Sequence, residues 1–475
     1  MKKLHFSLLC FILQSLTLSA QEVWDVERCI REALANSLTV KQVALTKTGH
    51  DIEGKRLRWN QVPSLNANSD LGLSSGRVIN PVTNLFETEN QVYQTIGINA
   101  GVMVFNGFRL RNSIRQNDIL VDASEADLKQ AEDDLALNVA LAYLNVLFAY
   151  ENLEIAKKRV DLSEHQLEQL DKMIATGTKP ENDRFDILAQ IAADQGGVVT
   201  AENNIENNLL VLKQQMLMEA DYPLVIERPA LDVSNLEALE NQTVQTVYDL
   251  ALSTQPQVQA AELRQQADEM GVDIASSQMY PSLSIGGQMG TNWSDATQAP
   301  IFGIQRIEQP GVYINDESVK FEADQFVPIS SKEIAYTKQL NNNIGYGLGL
   351  SLSVPIFNNN NNRAAVENAK IQIMNSAIQT DLVKQALKTD IQNAITAARA
   401  SRKSLEASEA TAKAASIALK NADRLTEIGS INNFEYLSAR NRSDTAQLNV
   451  LIAKYDYFFK VKVIEYYMGR GITLD

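Results

Sequence analysis

The 475-residue chain is poor in the residues from which most active centres are built: it has two cysteines and three histidines. The first 20 residues read as an export signal. Lys2 and Lys3 precede an apolar stretch from Leu8 to Leu18, and Leu18-Ser19-Ala20 offers a small-residue cleavage site before Gln21. That stretch is too short for a membrane anchor, which needs about 20 residues. Ser7-Leu8-Leu9 before Cys10 lacks the small residues of a lipid-anchor site. Without the signal one cysteine remains, Cys29, which excludes an intrachain disulfide. His50 and His165 stand far apart with no ligand pattern beside them and read as surface helix residues. No Gly-rich phosphate loop, nucleophile elbow or His/Cys metal spacing occurs. An enzyme, a metal site or a cofactor therefore has little to stand on. Basic charge is also short, 43 Lys and Arg against 58 Asp and Glu, and losing Lys2 and Lys3 deepens the net charge of −15. Phosphate binding needs a basic surface, so nucleic acid is excluded as a partner.

Glycine and proline are missing from two long stretches, between Gly107 and Gly177 and between Pro355 and Gly429. Both are rich in Ala, Leu, Glu, Gln and Lys, which favours helix. They predict helices over about 108–175 and about 362–427, each about 100 Å long at about 1.5 Å per residue. Leu135, Val139, Ala142, Val146, Ala149, Leu153, Ala156, Val160, Ser163, Leu167 and Leu170 alternate steps of four and three. Leu387, Ile391, Ala394, Ala398, Ser401, Leu405, Ser408, Ala412, Ala415, Leu419 and Ala422 do the same. A sustained heptad makes a left-handed coiled coil, and the many Ala and Ser let helices approach closely. An intramolecular helical bundle would show the same pattern.

The two helices belong to a duplication. Pro63-Ser-Leu returns as Pro281-Ser-Leu, an offset of 218. Phe105 returns as Phe357, Arg111 as Arg363 and Gly177 as Gly429, an offset of 252. The 34 extra residues of the second copy fall in the polar segment Thr291–Asn342, predicting a long loop there and a shorter one around Ser74–Gln91. The copies are residues 21–243 and 244–475, with residues 222–243 as a Pro-containing linker. Each reads helix, strand, loop, strand, long helix, turn, helix, with hairpins over about 64–105 and 282–357.

The strand signal is alternation. From Asn343 to Ile356 one parity carries Ile344, Tyr346, Leu348, Leu350, Leu352, Val354 and Ile356, the other Asn, Gly and Ser. From Val92 to Phe105 the even positions include Val92, Ile96, Ile98, Ala100, Val102 and Val104. Leu65–Leu73 and Leu283–Trp293 alternate less cleanly. A transmembrane strand needs about 9–11 residues, apolar outward and polar or small inward. A soluble sheet with one covered face could use the same pattern. Four strands cannot close a barrel, whose smallest form has about eight, and open edges are not tolerated in lipid. Membrane strands here would require oligomers: a dimer with a side-chain-filled barrel, or a trimer with room for a lumen.

These features together resemble the TolC-type outer membrane efflux proteins. The resemblance runs from about Val26 to Met468. It rests on the duplicated organisation, the Pro-Ser-Leu strand entries, the joint Phe105-Asn-Gly-Phe-Arg109 and the run Leu425-Thr-Glu-Ile-Gly-Ser-Ile-Asn-Asn-Phe-Glu-Tyr-Leu-Ser-Ala439. It implies an α+β membrane protein of a Gram-negative outer membrane, with four transmembrane β-strands per chain and a homotrimer. Twelve strands would form the barrel, continued by a coiled-coil helical tunnel in the periplasm. It further implies a passive exit duct for efflux or type I secretion, without cofactor. Its partners would be a periplasmic adaptor protein, an inner-membrane pump or ABC transporter, and outer membrane lipid. Tip turns fall at Gly177–Asp186 and Gly429–Glu435. Family aperture acids map onto Glu435 and Ser438, a basic gate residue onto Ile431, and Asp183 and Asp186 are further candidates. These acids equally suit solvated first turns of helices. Asn106-Gly107 and Asn358-Asn359 would be the strand-to-helix joints, since Asn and Gly both accept left-handed backbone. The alternative is an exported periplasmic coiled-coil scaffold with soluble hairpins and no channel.

Overall fold

The computed structural model of the protein describes residues 23–79, 86–229, 242–314, 317–428 and 430–470. The expected signal segment, much of the 222–243 linker and Gly429 lie outside them. The elements are β1 (Val23–Trp24), α1 (Val26–Asn36), α2 (Leu38–Trp59), β2 (Ser64–Ile79), β3 (Phe86–Asn106), α3 (Arg109–Ala175), α4 (Asp183–Gln215) and β4 (Val225–Ile226). They continue with α5 (Val244–Thr254), α6 (Pro256–Ser277), β5 (Ser282–Ser294), β6 (Gln298–Ile314), β7 (Glu317–Glu333), α7 (Tyr336–Asn342), β8 (Gly345–Ser353), α8 (Asn361–Glu427) and α9 (Asn433–Tyr467). The chain divides into two compact units, one of residues up to Asp51, Ile119–Ala267 and Ile373–Asp475, the other of Ile52–Asp118 and Asp268–Gln372.

The first unit is helical. Local backbone features recur within it at the sequence offsets of 218 and 252 residues. Asp25 caps α1 through Arg28 N–H at 2.6 Å, and Thr243 caps α5 through Thr246 N–H at 3.1 Å. Each helix then breaks at a non-helical residue, Ser37 (ψ 124°) and Gln255 (ψ 120°), so that a single expected helix is two in both places. Leu217 and Gly469 are both left-handed (φ 53° and 75°) and close α4 and α9 alike. Met218 N–H donates to Lys213 O, and Arg470 N–H to Glu465 O, the wrap-around bond of a left-handed C-terminal cap. The heptad residues form the seam. Val139, Ala142, Val146, Ala149, Leu153, Ala156, Ser163 and Leu170 of α3 are buried, as are Leu387, Ile391, Ala398, Ser401, Leu405 and Ala422 of α8. The parallel pair β1–β4 lies over this core, where the Tyr143 hydroxyl donates to the Glu227 carbonyl at 2.7 Å. Cys29 is fully buried beside it, and burial pushes its thiol up to about 12, which leaves it inert.

The second unit contains an antiparallel sheet in the order β2-β3-β5-β8 and a separate two-stranded ribbon, β6-β7. The shorter loop expected at Ser74–Gln91 is largely strand: β2 and β3 pair from Ser64↔Gly101 out to Ile79↔Phe86. The polar segment Thr291–Asn342, expected as a loop, is also largely strand and helix. β6 and β7 pair from Gln298↔Glu333 to Ile314↔Glu317. Cross-strand charges suit that register: Arg306 meets Asp324 at 3.1 Å and Lys320 meets Glu308 at 3.3 Å. α7 follows. The last sheet strand ends at Ser353, short of the expected Phe357.

Candidate functional site: an open sheet and a helical tip

The pairing register sorts the four-stranded sheet into two unlike faces. One carries Leu65, Leu71, Leu73, Ile96, Ile98, Val102, Leu283, Ile285, Met289, Leu348, Leu350 and Leu352. The other carries Ser64, Asn66, Asn68, Asp70, Gly97, Asn99, Gly101, Ser284, Gly286, Gln288, Gly347 and Gly349. Among the described residues nothing covers the apolar face at β8: Tyr346 and Leu348 are each 89% exposed. Among the described residues no strand pairs with the outer edge of β2 or of β8. Two free edges and an uncovered apolar face are costly in water and tolerable in lipid only when every backbone group finds a partner.

The joints after this sheet show why Asn and Gly stand there. β3 ends at Asn106, and Gly107 and Phe108 follow with φ 65° and 67°. A Cβ on Gly107 would lie 2.4 Å from the Ser277 carbonyl, so the backbone passes too close for any side chain. After β8, Asn359 and Asn360 take φ 55° and 66°. The asparagine run has a task at each position. The Asn358 carbonyl accepts from Asn361 N–H at 3.1 Å and closes the turn. Asn359 and Asn360 make the left-handed step, which Asn tolerates best after Gly. Asn361 opens α8, and Asn362 Nδ2 donates to the Gln278 carbonyl at 2.7 Å.

In the helical unit the expected tip residues occupy distinct places. Gly177 (φ 71°) ends α3 in a left-handed cap: Thr178 N–H donates to Met173 O and Gly177 N–H to Ile174 O, both at 2.9 Å. Ser430 N–H donates to Leu425 O at 2.8 Å in the corresponding turn; Gly429 itself lies outside the described residues. Asp183 lines a cavity of about 320 Å³ with Lys179, Ile187, Asp423 and Tyr436. Asp186 and Glu435 are exposed acids in the first turns of α4 and α9 and do not line it. Asn432 caps α9 by accepting from Glu435 N–H at 2.8 Å.

Next to this cavity lies a feature that the sequence reading missed. Arg440 of α9 is completely buried. Its guanidinium donates to Gln166 Oε1 at 3.0 Å, to the Arg159 carbonyl at 2.7 Å and to Asp194 Oδ2 at 3.2 Å. Asp444 Oδ2 lies 3.7 Å from both Arg440 Nε and Arg159 Nε. Ser163 Oγ donates to Asp194, and Gln166 to the Tyr436 hydroxyl. Two arginines and two aspartates from three helices thus neutralise one another in a water-poor place. Burial raises the Asp444 carboxyl, with Arg159 and Arg440 lowering it and Asp194 raising it further. The signal was available: Arg440 stands four residues after Tyr436 and three before Ser443, both buried, so a charge sits on the packed stripe of α9.

Comparison with known proteins agrees with this architecture. The model of the family "Outer membrane efflux protein" matches residues 29–216 and 247–458, well over half of the chain. The outer membrane protein TolC of Vibrio cholerae is 22% identical over 362 residues, covering 75% of this chain and 74% of that protein. The outer membrane efflux protein BepC of Brucella suis is 22% identical over 378 residues, 78% of this chain and 70% of the relative. Among solved structures, CusC superposes with a TM-score of 0.73 at 16% identity, covering 96% of each chain. VceC of Vibrio cholerae gives 0.71 at 15% identity, over 94% of this chain and 97% of that one. The chain belongs to the outer membrane efflux protein family, and its place is the outer membrane, with a large periplasmic portion.

Proposed function

We propose that three copies of this chain assemble into a passive exit duct. β2 of one copy pairs with β8 of the next, so that the four strands of each copy build one twelve-stranded barrel and every open edge closes. The apolar face then meets lipid and the small, polar face lines a lumen. The observation that carries this reading is the combination of that two-faced sheet with two unpaired edges. Three copies of the Gly107 and Asn359 joints lead from strands into the coiled-coil helices, which form the periplasmic tunnel. The duct performs no reaction and needs no cofactor; a periplasmic adaptor protein and an inner-membrane pump or ABC transporter supply substrate and energy. Asp183, Asp186 and Glu435 lie at the tip that such partners would reach, and Glu435 contributes to the charge of its aperture. The test is the mass of the full-length protein in detergent together with conductance in planar bilayers. A trimer with discrete conductance steps supports the duct. A protein that purifies without detergent and conducts nothing refutes it, and is the outcome expected of a periplasmic scaffold.

A further inference from the structure

The apolar face of the sheet carries a groove built by α7. Gln339, 3% exposed, seats this short helix on β5. Its Oε1 accepts from Ser294 N–H at 3.1 Å, and its Nε2 donates to the carbonyls of Ser294 (2.9 Å) and Ile334 (2.8 Å). The Thr291 hydroxyl donates to the Leu340 carbonyl at 2.5 Å. A buried, fully bonded amide and a second anchor fix the helix in place, so the space beside it has a defined shape.

That space is a cavity of about 400 Å³ between Ile96, Ile98 and Met289 of the sheet and Thr337, Leu340 and Ile344 of the α7 segment. Its walls are mostly aliphatic, with Thr291, Thr337 and Asn341 also in the lining. One step along the strands the same face turns polar and aromatic: Gln94 stands opposite Trp293. The Tyr336 hydroxyl donates to Gln94 Oε1 at 2.8 Å, Gln94 Nε2 donates to Ser69 Oγ at 3.1 Å, and the Tyr336 and Trp293 rings meet edge-on with centroids 5.5 Å apart. Tyr and Trp with one wet and one apolar end belong at the headgroup level of a bilayer. A mostly aliphatic groove thus stands beside an aromatic, hydrogen-bonded cluster on the same face, the two-part character of a lipid.

We propose that this groove holds one acyl chain of an outer-membrane lipid, with α7 as the clasp and Trp293 and Tyr336 at the headgroup. The inference rests on the reading of the sheet as a lipid-facing barrel sector. A water-filled groove here would set Leu340 and Met289 against solvent with no polar partner, whereas an acyl chain restores their contacts.

The chain has three tryptophans. Trp24→Phe with Trp59→Phe isolates Trp293; if that variant fails to assemble, the difference between wild type and Trp293→Phe reports the same signal. The full-length detergent-solubilised protein is titrated with phosphatidylethanolamine bearing a brominated acyl chain, a contact quencher of indole. An occupied groove gives saturable quenching, and Leu340→Gln or Ile344→Gln raises the half-saturation point at least about fivefold by placing an amide in the aliphatic body. Quenching that never saturates, or that both variants leave unchanged, overturns the groove while the barrel reading stands. No quenching in liposomes made wholly of the brominated lipid overturns the barrel reading, and the groove with it.

Discussion

Replacing Arg440 by alanine should loosen the helical tip far more than any substitution of its exposed acids. Arg440 is wholly buried, and the Asp194 and Asp444 side chains that face it are only 8% and 16% exposed. Removing the guanidinium leaves two carboxylates facing Arg159 alone, strips Asp194 of its ion-pair partner in a low-dielectric site and unties Gln166 and the Arg159 carbonyl. Breaking a buried pair by deleting one partner costs about 3–5 kcal/mol, because the remaining charge is uncompensated. At about 1.4 kcal/mol per factor of ten, local opening should become roughly a hundred to a few thousand times more frequent. Native-state hydrogen exchange of the amides of Tyr436–Ala446, read by mass spectrometry, measures that opening. Glu435→Gln, at an exposed first-turn position, is the control and should change exchange by no more than about twofold. Replacing Arg159, Arg440, Asp194 and Asp444 together by leucine should cost less than Arg440→Ala alone, since an apolar cluster carries no desolvation penalty. Exchange in Arg440→Ala within about threefold of wild type, or a quadruple variant worse than the single one, refutes the argument that charge compensation holds this site.

The raised carboxyl of Asp444 sets a pH dependence. Its contribution to stability is complete below the ordinary carboxylate value and is lost as pH climbs through the elevated folded value. The melting temperature of Asp444→Asn minus that of wild type should therefore rise as pH climbs above the ordinary carboxylate value of about 4; a flat difference across scanning-calorimetry runs contradicts it. Gly107→Ala should destabilise the strand-to-helix joint by more than about 1 kcal/mol, through left-handed strain and the clash with Ser277 O, whereas Asn359→Gly should be nearly neutral; equal unfolding midpoints for both would argue against it. The proposed duct puts the β6-β7 ribbon at the cell-surface end of the barrel, opposite the periplasmic helices, so cysteine at Gln325 should react with an impermeant maleimide on intact cells; protection there would reverse that topology. Glu435→Gln should lower the cation preference of the open pore in planar bilayers, and unchanged reversal potentials would remove Glu435 from the aperture.

The long helices were legible because nothing in them interrupts: the Gly- and Pro-free stretches correspond to α3 (Arg109–Ala175) and α8 (Asn361–Glu427). The seam was legible because burial follows a heptad, as at Val139, Val146, Leu387 and Ile391. Strand length was less legible. β2 and β3 continue to Ile79↔Phe86, past the point where alternation fades, because backbone pairing extends a hairpin without help from apolar side chains. The β6-β7 ribbon was hidden for a related reason: its register is marked by charge pairs such as Arg306–Asp324, which resemble loop composition until the partner strand is known. The Arg440 cluster was hidden because its members come from α3, α4 and α9, far apart in sequence. Left-handed geometry was readable at Gly107 and Asn359. At Phe108 and Leu217 it was not, since neither residue type announces positive φ.

The α8 seam is graded. From Leu387 to Leu405 it is mostly buried and includes long side chains; from Ser408 to Leu419 it is half-buried and mostly Ala and Ser. Deep knobs resist sliding, and shallow ones let neighbouring helices shift past each other with little loss of contact. Packing therefore holds one end of this helix pair firmly and leaves the other slack. At the slack end stands the Arg440 cluster, whose bonds are few, directional and sensitive to charge. Stiffness there is set by electrostatics instead of volume, so proton concentration can tune one end of the bundle while the other keeps its shape.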